Sequence, residues 1–398
     1  MNLITRLAGS LVILAIVLIT VEIGSYILVE FVVYEKARYL LYEVPNFDEA
    51  KVNDYLKIRD PLLGWPTEKA LADKGYDSSG SRPVPAFPRP GNECITLYGD
   101  SFTYGTGVLD QDTWGNILSE RNRCRVGNFG VPGYGTDQAL LRFQKNIGDT
   151  APVSILGIYP TDITRNVNQY RYLLTTRPNT VFAFKPRFIL ERGRLRLVPL
   201  PTPSFSGQHA PGSNVLDSLH HETFLPGKGV GPVPIRFPYS LVVWDLFLHE
   251  RVQGWVKNKP SWEGMIQQDH ASEALDVTVA VVKAFMAECD KRGKKCFVIT
   301  FPTPGGYKKF KKSGISSLEP LFGRLTKLGI PYLTFESYLV AQIGERSICE
   351  LLTNIQGCTG HFNAKGNKLI AEFVNSYLTD NSMLHEANAS EPELSKLP

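Results

Sequence analysis

The sequence has no excess of charge of either sign. Its net charge is +4 at pH 7, and charged residues make up 21% of its 398 residues. Proteins that bind nucleic acid through its phosphates concentrate far more basic charge on one surface. We therefore expect no nucleic-acid partner.

Spacings typical of metal ligands are also missing. The chain has six cysteines and seven histidines, but it contains neither a Cys-x2-Cys pair nor a His-x3-5-His pair. Structural zinc sites are usually built from such pairs. We therefore expect no metal, and no motif indicates an organic cofactor.

The six cysteines are instead spaced as three couples that are close in sequence. An even number in such couples is typical of disulfides formed in an oxidising compartment. Buried free thiols are the alternative, with comparable weight for the isolated couples. The candidate disulfides are Cys94 with Cys124, Cys289 with Cys296, and Cys349 with Cys358.

The N-terminal segment is almost entirely apolar from Leu7 to Val33. At about 1.5 Å of rise per residue, a helix of this length crosses a hydrocarbon core of about 30 Å. A cleaved signal peptide has a shorter apolar region and a small-residue cleavage site, and no clear one is present. We predict an uncleaved membrane anchor, with the rest of the chain outside the cytoplasm. Glu22 and Glu30 are costly in lipid and require the interface or a partner.

Beyond the anchor, the pattern alternates between strands and helices in two blocks, which predicts an α/β protein with a parallel sheet. The long interruption between the blocks is typical of an insertion that carries a lid or binding surface. Within it, the aromatic run at residues 238–256 is expected to form one helix. We divide the chain into an anchor (1–35), a linker and extended cap (36–92), a first half-domain (93–165), the insertion (166–272), a second half-domain (273–378) and a disordered tail (379–398).

The first predicted strand of the sheet runs directly into Gly99, Asp100 and Ser101. In α/β sheets, reactive groups collect beyond the carboxyl ends of the strands. A serine hydroxyl becomes a nucleophile when a base takes its proton and nearby donors stabilise the resulting oxyanion. Ser101 is therefore a candidate nucleophile, although a turn cap is the simpler alternative. We expect Asp100 to bind the backbone of the turn.

Three further motifs follow in order along the chain. The sequence "NFGVPGYGTDQ" follows the second predicted strand, "GIYPTDITRN" includes the end of the third, and "GCTGHFNAKGNKLIAEF" places His361 just before the final helix. Glycines in the first motif allow a backbone N–H to approach a reacting atom. The remaining histidines, which lie in no comparable motif, are His209, His220, His221, His249, His270 and His385.

This ordered set resembles the SGNH (GDSL) hydrolase superfamily over roughly residues 93–175 and 275–378. The resemblance implies a flavodoxin-like three-layer α/β/α sandwich. It also implies that Ser101 is the nucleophile and His361 the general base. The N–H groups of Ser101 and Gly133 would form the oxyanion hole, with Thr161 at the position of the third donor.

Two positions depart from the pattern of the superfamily. Thr161 stands where relatives have asparagine, so that a hydroxyl replaces an amide donor. Relatives carry an aspartate two or three residues before the histidine, where this chain has Thr359 and Cys358. A backbone carbonyl, or another acid such as Glu350 or Asp162, would have to orient His361 instead.

The resemblance implies an anchored, extracytoplasmic serine esterase or acyltransferase. Its substrate would carry an O-acetyl or other short acyl group, most plausibly on an envelope glycan. A catalytically impaired protein that binds a glycan or an assembly partner is the alternative, favoured by the two departures. A lipase acting on lipid near its own anchor is a third hypothesis, but no long apolar loop is present to hold an acyl chain.

Overall fold

A five-stranded parallel sheet forms the centre of the protein. The structure is a computed structural model that describes residues 3–45, 49–65, 75–177, 182–201, 213–257 and 261–384. The strands are β1 (Glu93–Tyr98), β2 (Arg125–Asn128), β3 (Val153–Ile158), β4 (Lys295–Thr300) and β5 (Tyr332–Thr334). They pair in the order β2-β1-β3-β4-β5, which is the order of flavodoxin-like sheets. The predicted parallel α/β fold is confirmed.

The sheet is covered by helices on both faces. Successive side chains of a strand point to opposite faces, so that Ile155 and Leu156 of β3 lie in two different apolar cores. Each core is completed by helices, and together they make a three-layer sandwich. One face packs Thr136–Lys145, Ala274–Lys291 and Glu319–Lys327, and the other packs Trp114–Asn122, Phe335–Ile343 and Ala364–Asp380.

Shorter elements surround the sandwich. Three small two-stranded pairs are Leu41–Tyr42 with Val233–Pro234, Arg187–Glu191 with Arg194–Val198, and Leu352–Asn354 with Thr359–Phe362. Shorter helices and turns are Tyr34–Ala37, Arg38–Leu40, Glu49–Ile58, Ser101–Tyr104, Asp110–Asp112, Asp162–Arg165, Tyr172–Thr175, Ser213–Asp217, Ser261–Met265, Pro304–Ser313 and Ile348–Leu351. The helix Glu49–Ile58 lies in a segment whose sequence predicts irregular structure.

The N-terminal segment is helical, as the sequence predicts. The helix Leu3–Ile27, which we call the anchor helix, continues into a π-helical stretch at Leu28–Val33. Within the described residues, one stretch, Leu7–Leu40, is long and apolar enough to cross a membrane. Most of its side chains are exposed in the isolated protein. Apolarity alone does not distinguish a membrane anchor from a signal sequence near an N-terminus.

The aromatic run at residues 238–256 forms two helices, so the prediction of a single helix is wrong. Tyr239–Leu248, which we call the insertion helix, ends at His249, and Glu250–Val256 begins directly after it. His249 has an extended backbone, and its Nδ1 accepts a hydrogen bond from the backbone N–H of Arg251, at 3.1 Å. Its Nε2 lies 2.9 Å from the carbonyl oxygen of Gly231. His249 therefore ends the first helix through its extended backbone and caps the second through its side chain.

All three predicted cysteine couples form disulfides. Their Cα atoms lie 6.0 Å apart in Cys94–Cys124, 6.3 Å in Cys289–Cys296 and 4.6 Å in Cys349–Cys358. The last helix extends to Asp380, and the greater part of the predicted disordered tail, 385–398, lies outside the described residues.

Candidate active site

Ser101 is the first residue of a one-turn helix that begins just beyond β1. Asp100 caps this helix, because its Oδ1 accepts a hydrogen bond from the backbone N–H of Phe102, at 2.8 Å. A Cβ at Gly99 would lie only 2.7 Å from the carbonyl oxygen of Gly157, which explains why glycine occupies the turn. Ser101 is 7% exposed. The local sequence therefore presents one hydroxyl at the carboxyl end of the sheet, and Asp100 has the backbone-binding role that its sequence predicts.

His361 lies beside this hydroxyl. Its Nε2 is 2.8 Å from the Oγ of Ser101, although the two residues are 260 positions apart in sequence. The imidazole packs against the ring of Phe102 at a centroid distance of 4.9 Å. Burial lowers the pKa of His361 below its ordinary value. A neutral imidazole at this distance can accept the serine proton.

The loop that carries His361 is held by its backbone and by a disulfide. His361 lies in the strand Thr359–Phe362, which pairs with Leu352–Asn354, and its N–H donates to the Oγ1 of Thr353 at 3.2 Å. The disulfide Cys349–Cys358 closes the segment just before it.

No carboxylate of the described residues pairs with the His361 ring. Glu350 is exposed, and it is its backbone carbonyl, not its carboxylate, that accepts a hydrogen bond from Asn363. The carboxylate of Asp162 pairs with Arg165 instead. The structure thus brings Ser101 and His361 together but leaves both candidate acids away from the imidazole.

Arg165 joins the ends of three strands. Its Nη1 lies 3.1 Å from the Oδ2 of Asp100, 2.7 Å from the Oδ1 of Asp162 and 2.9 Å from the carbonyl oxygen of Tyr134. These three partners follow β1, β3 and β2 respectively. Burial, and then the nearby Asp100 carboxylate, raise the pKa of Asp162. Asp162 therefore takes part in a buried charged cluster behind the nucleophile.

Gly133 lies in a loop that contacts the side chains of Arg171 and Trp65, neither of which the sequence motifs indicate. Its backbone has φ +88°, and its carbonyl oxygen accepts from the Nη1 of Arg171 at 2.8 Å. A Cβ at Gly133 would lie 3.6 Å from the Cζ of Arg171 and 3.8 Å from the ring of Trp65. Burial, and then the charge of Arg165, lower the pKa of Arg171 to about 9. The glycine is thus closely enclosed, with a guanidinium on one side.

Three candidate donors to an oxyanion have no hydrogen-bond partner within the part of the chain that the structure describes. The backbone N–H groups of Ser101 and Gly133 meet no acceptor there. The Oγ1 of Thr161 is buried and likewise unpaired. Buried polar groups are nearly always hydrogen-bonded, so the unpaired hydroxyl of Thr161 is an exception that calls for an explanation. Among the described residues, no cluster of His, Cys, Asp and Glu is suited to hold a metal ion.

The segment upstream of the sheet also contributes to the site. Arg82, which is buried, donates to the carbonyl oxygens of Tyr104, Gly105 and Val108 at 2.8, 2.6 and 2.6 Å. It also pairs with Asp110 at 2.7 Å. This guanidinium fixes the loop that follows Ser101. The segment 36–92, expected to be a linker and cap, therefore supports the site directly.

Comparison with known proteins gives similarity only among solved structures. No protein-family model matches the chain, and no curated protein matches it in sequence. It is similar to a structure assigned to the G-D-S-L lipolytic family from Desulfitobacterium hafniense, at 11% identity and TM-score 0.34, over 71% of this chain and 97% of that one. An acetylxylan esterase from Geobacillus stearothermophilus aligns at 9% identity and TM-score 0.36, over 73% and 94%. A psychrotrophic esterase from Pseudoalteromonas aligns at 9% identity and TM-score 0.34, over 72% and 97%.

Likeness at these identities and TM-scores does not assign the activity of those proteins to this chain. The chain's own features carry the functional argument. Its strand order and its Ser101–His361 contact are those that the SGNH resemblance implies.

Proposed function

We propose that this protein is a serine ester hydrolase or acyltransferase of the SGNH type. The observation that carries the proposal is the 2.8 Å contact between the Oγ of Ser101 and the Nε2 of His361. Two residues so distant in sequence meet at the carboxyl edge of a parallel sheet, where reactive groups collect. The lowered pKa of His361 supports its role as a general base.

The proposed reaction has two acyl-transfer steps. His361 takes the proton of Ser101 while the Oγ attacks the carbonyl carbon of an ester, and an oxyanion forms. The N–H groups of Ser101 and Gly133 and the hydroxyl of Thr161 stabilise that oxyanion, because donors aimed at developing charge favour the transition state. The leaving alcohol takes the proton from His361, and an acyl-serine remains. Water or a second hydroxyl then attacks the acyl-serine through the same base.

The proposed base works without a carboxylate partner. In a full triad, the acid fixes the histidine tautomer and stabilises the imidazolium that forms. His361 relies on its packing against Phe102 and on the backbone of its strand. We therefore propose a Ser101–His361 dyad whose rate is below that of a triad.

The proposed substrate carries an O-acetyl or other short acyl group, and we place it on a glycan of the cell envelope. The proposed location is extracytoplasmic, with the anchor helix in the membrane. Three disulfides and one long apolar helix support this location, because disulfides persist in oxidising compartments.

Binding without catalysis is a second candidate function. The observation that favours it is the absence of a carboxylate beside His361 among the described residues. In that case, the fold would present a glycan- or partner-binding surface, and Ser101 would be only a polar residue of the turn that Asp100 caps.

Active-site labelling separates these two functions. A fluorophosphonate probe should label the full chain at Ser101, and the chain should release acetate from an aryl acetate and from an O-acetylated polysaccharide. Ser101→Ala should abolish labelling and turnover at unchanged melting temperature. Ser337→Ala, which changes an exposed serine far along the chain, should leave both intact. Equal turnover by Ser101→Ala and the parent would refute the proposed nucleophile, and no labelling of the parent would favour the binding protein.

A further inference from the structure

The insertion helix is bonded to the anchor helix at its first turn. The carboxylate of Glu22 accepts hydrogen bonds from the backbone N–H groups of Tyr239 and Ser240. The hydroxyl of Tyr239 donates to Glu30 at 3.2 Å. The ring of Tyr239 meets that of Tyr26 edge-on at 5.0 Å. The two acidic residues that are costly in an apolar anchor thus have their partners on the insertion helix.

Packing also joins the insertion to the segment that follows the anchor helix. A small apolar core, separate from the two cores of the sandwich, unites residues of the N-terminal segment with residues of the insertion. Its fully buried members are Val29, Ala37, Leu40 and Leu41 from the first and Val233, Val242 and Leu246 from the second. Strand Leu41–Tyr42 pairs with Val233–Pro234 next to this core. The insertion helix therefore packs, through Val242 and Leu246, against the segment that directly follows the anchor helix.

The outer face of the insertion helix is apolar and exposed. Trp244 is 59% exposed and Phe247 is 60% exposed, and Leu241 and Leu248 are exposed beside them. Phe237, just before the helix, is 79% exposed. The surfaces of soluble monomeric proteins rarely carry a large exposed apolar patch unless it binds a partner or a membrane. This patch adjoins the anchor helix, whose own apolar side chains are exposed from Leu7 to Ile27.

The contact between the anchor helix and the insertion helix lies near one surface of the bilayer when the anchor helix spans it. A span that begins at Leu7 covers about 30 Å, the thickness of a hydrocarbon core, by Ile27 at the helical rise. Glu22, Tyr26 and Tyr239 therefore lie near one end of the span. Tyrosine and tryptophan are enriched at this interface, where an apolar ring and a polar group are both satisfied.

We propose that the insertion helix is a second membrane-contacting element, seated in the interfacial layer of the bilayer beside the anchor. Its occupant is lipid, because the exposed patch continues the lipid-facing surface of the anchor helix. This inference rests on the proposed membrane anchor and is independent of the proposed chemistry. Two contacts, one spanning and one interfacial, hold the catalytic domain at a fixed orientation above the membrane.

Tryptophan quenching by brominated lipid tests the proposal. The full chain is reconstituted in phosphatidylcholine vesicles whose acyl chains carry bromine near the headgroup. We expect bromine to quench the native fluorescence, and Trp244→Phe to lose a large part of that quenching. Trp262→Phe, which removes a buried tryptophan, should retain it. Thermal melting of both variants checks that they are folded.

Three results would overturn the inference. Undiminished quenching in folded Trp244→Phe would mean that the insertion helix does not face lipid. Crosslinking between two copies through Phe247→Cys, without quenching of Trp244, would identify a second chain as the occupant. Failure of the full chain to float with the vesicles would refute the anchor itself, without bearing on the esterase assay.

Discussion

The two halves of the candidate active site are held in different ways. The nucleophile side is fixed by buried charge: Asp100 caps the Ser101 helix and pairs with Arg165, and Arg82 binds the following loop. The histidine side is fixed by a strand pair and a disulfide, and no carboxylate of the described residues is hydrogen-bonded to the imidazole. The fold thus positions both Ser101 and His361, whereas the buried charged groups are concentrated on the Ser101 side.

This contrast separates two tasks that a catalytic triad usually combines. An acid beside histidine both orients the ring and stabilises its positive charge. Here, orientation is supplied by the fold around His361, and no carboxylate of the described residues is hydrogen-bonded to the ring to stabilise its charge. Removing the buried charges behind the nucleophile should therefore affect stability and rate together, whereas changing the charge beside His361 should affect rate alone.

Removing Arg165 should have the largest effect. Arg165→Met leaves the buried carboxylates of Asp100 and Asp162 without their shared cation, and breaking a buried ion pair costs about 3–5 kcal/mol. We expect a loss of that order in the free energy of unfolding, measured with denaturant, and loss of esterase turnover. Arg346→Met, at an exposed arginine, should change neither. An unaltered unfolding midpoint in Arg165→Met would show that the cluster does not organise the site.

Thr161→Val should separate rate from stability. Loss of one oxyanion donor costs about 10²-fold in kcat. Because the hydroxyl is buried and unpaired within the described residues, its removal should leave the melting temperature unchanged or raise it. Thr164→Val, whose hydroxyl donates to the Thr161 carbonyl, is the matched control and should retain most of its kcat. A stable Thr161→Val with the parent's kcat would exclude Thr161 from the oxyanion hole.

Thr359→Asp should raise the rate by placing a carboxylate close to His361, the side of the site where the described residues provide none. Position 359 lies two residues before His361 in the same short strand, next to the disulfide-bonded Cys358. We expect a gain in kcat of about tenfold, a small part of the roughly 10⁴-fold effect of a triad aspartate. Thr359→Asn should give no gain, and Glu350→Gln should leave the rate unchanged because that carboxylate is exposed. If kcat of Thr359→Asp equals that of the parent, a missing carboxylate does not limit the rate of the dyad.

The smallest effect concerns pH. The general base must be neutral, and burial lowers the pKa of His361 from its ordinary 6.5. The plot of kcat/KM against pH should therefore rise through a midpoint below 6.5 and level off above it. In Thr359→Asp, the added carboxylate favours the imidazolium, so the midpoint should move upward. A midpoint above 6.5 in the parent would contradict a buried, unsupported histidine.

The parts of the site that the sequence predicts are those carried by short motifs. Ser101 and His361 each lie next to a recognisable turn, and the strand alternation predicts the sheet on which they meet. Arg165 and Arg171 could not be predicted in the same way, because a charged residue in a polar loop usually faces solvent. Their roles depend on parallel strand ends lying side by side, which is a property of the assembled sheet.

The local sequence pattern predicts the wrong secondary structure in two other places. The helix Glu49–Ile58 turns only a narrow apolar stripe inward, with Val52 and Tyr55 as its fully buried residues, and its segment is otherwise rich in proline and glycine. The break at His249 depends on a contact with Gly231, which local pattern does not reveal. Both cases are set by tertiary contacts that outweigh local propensity.

Arg82 shows that the part of the chain needed to form the site is larger than the part that forms the central sheet. A fragment that starts at residue 93 would contain every strand of the sheet and both members of the dyad. It would nevertheless leave the carbonyls of Tyr104, Gly105 and Val108 without the guanidinium that binds them. The shortest soluble fragment that retains a correctly shaped nucleophile loop should therefore begin upstream of Arg82, in a stretch that a sequence-based division would discard.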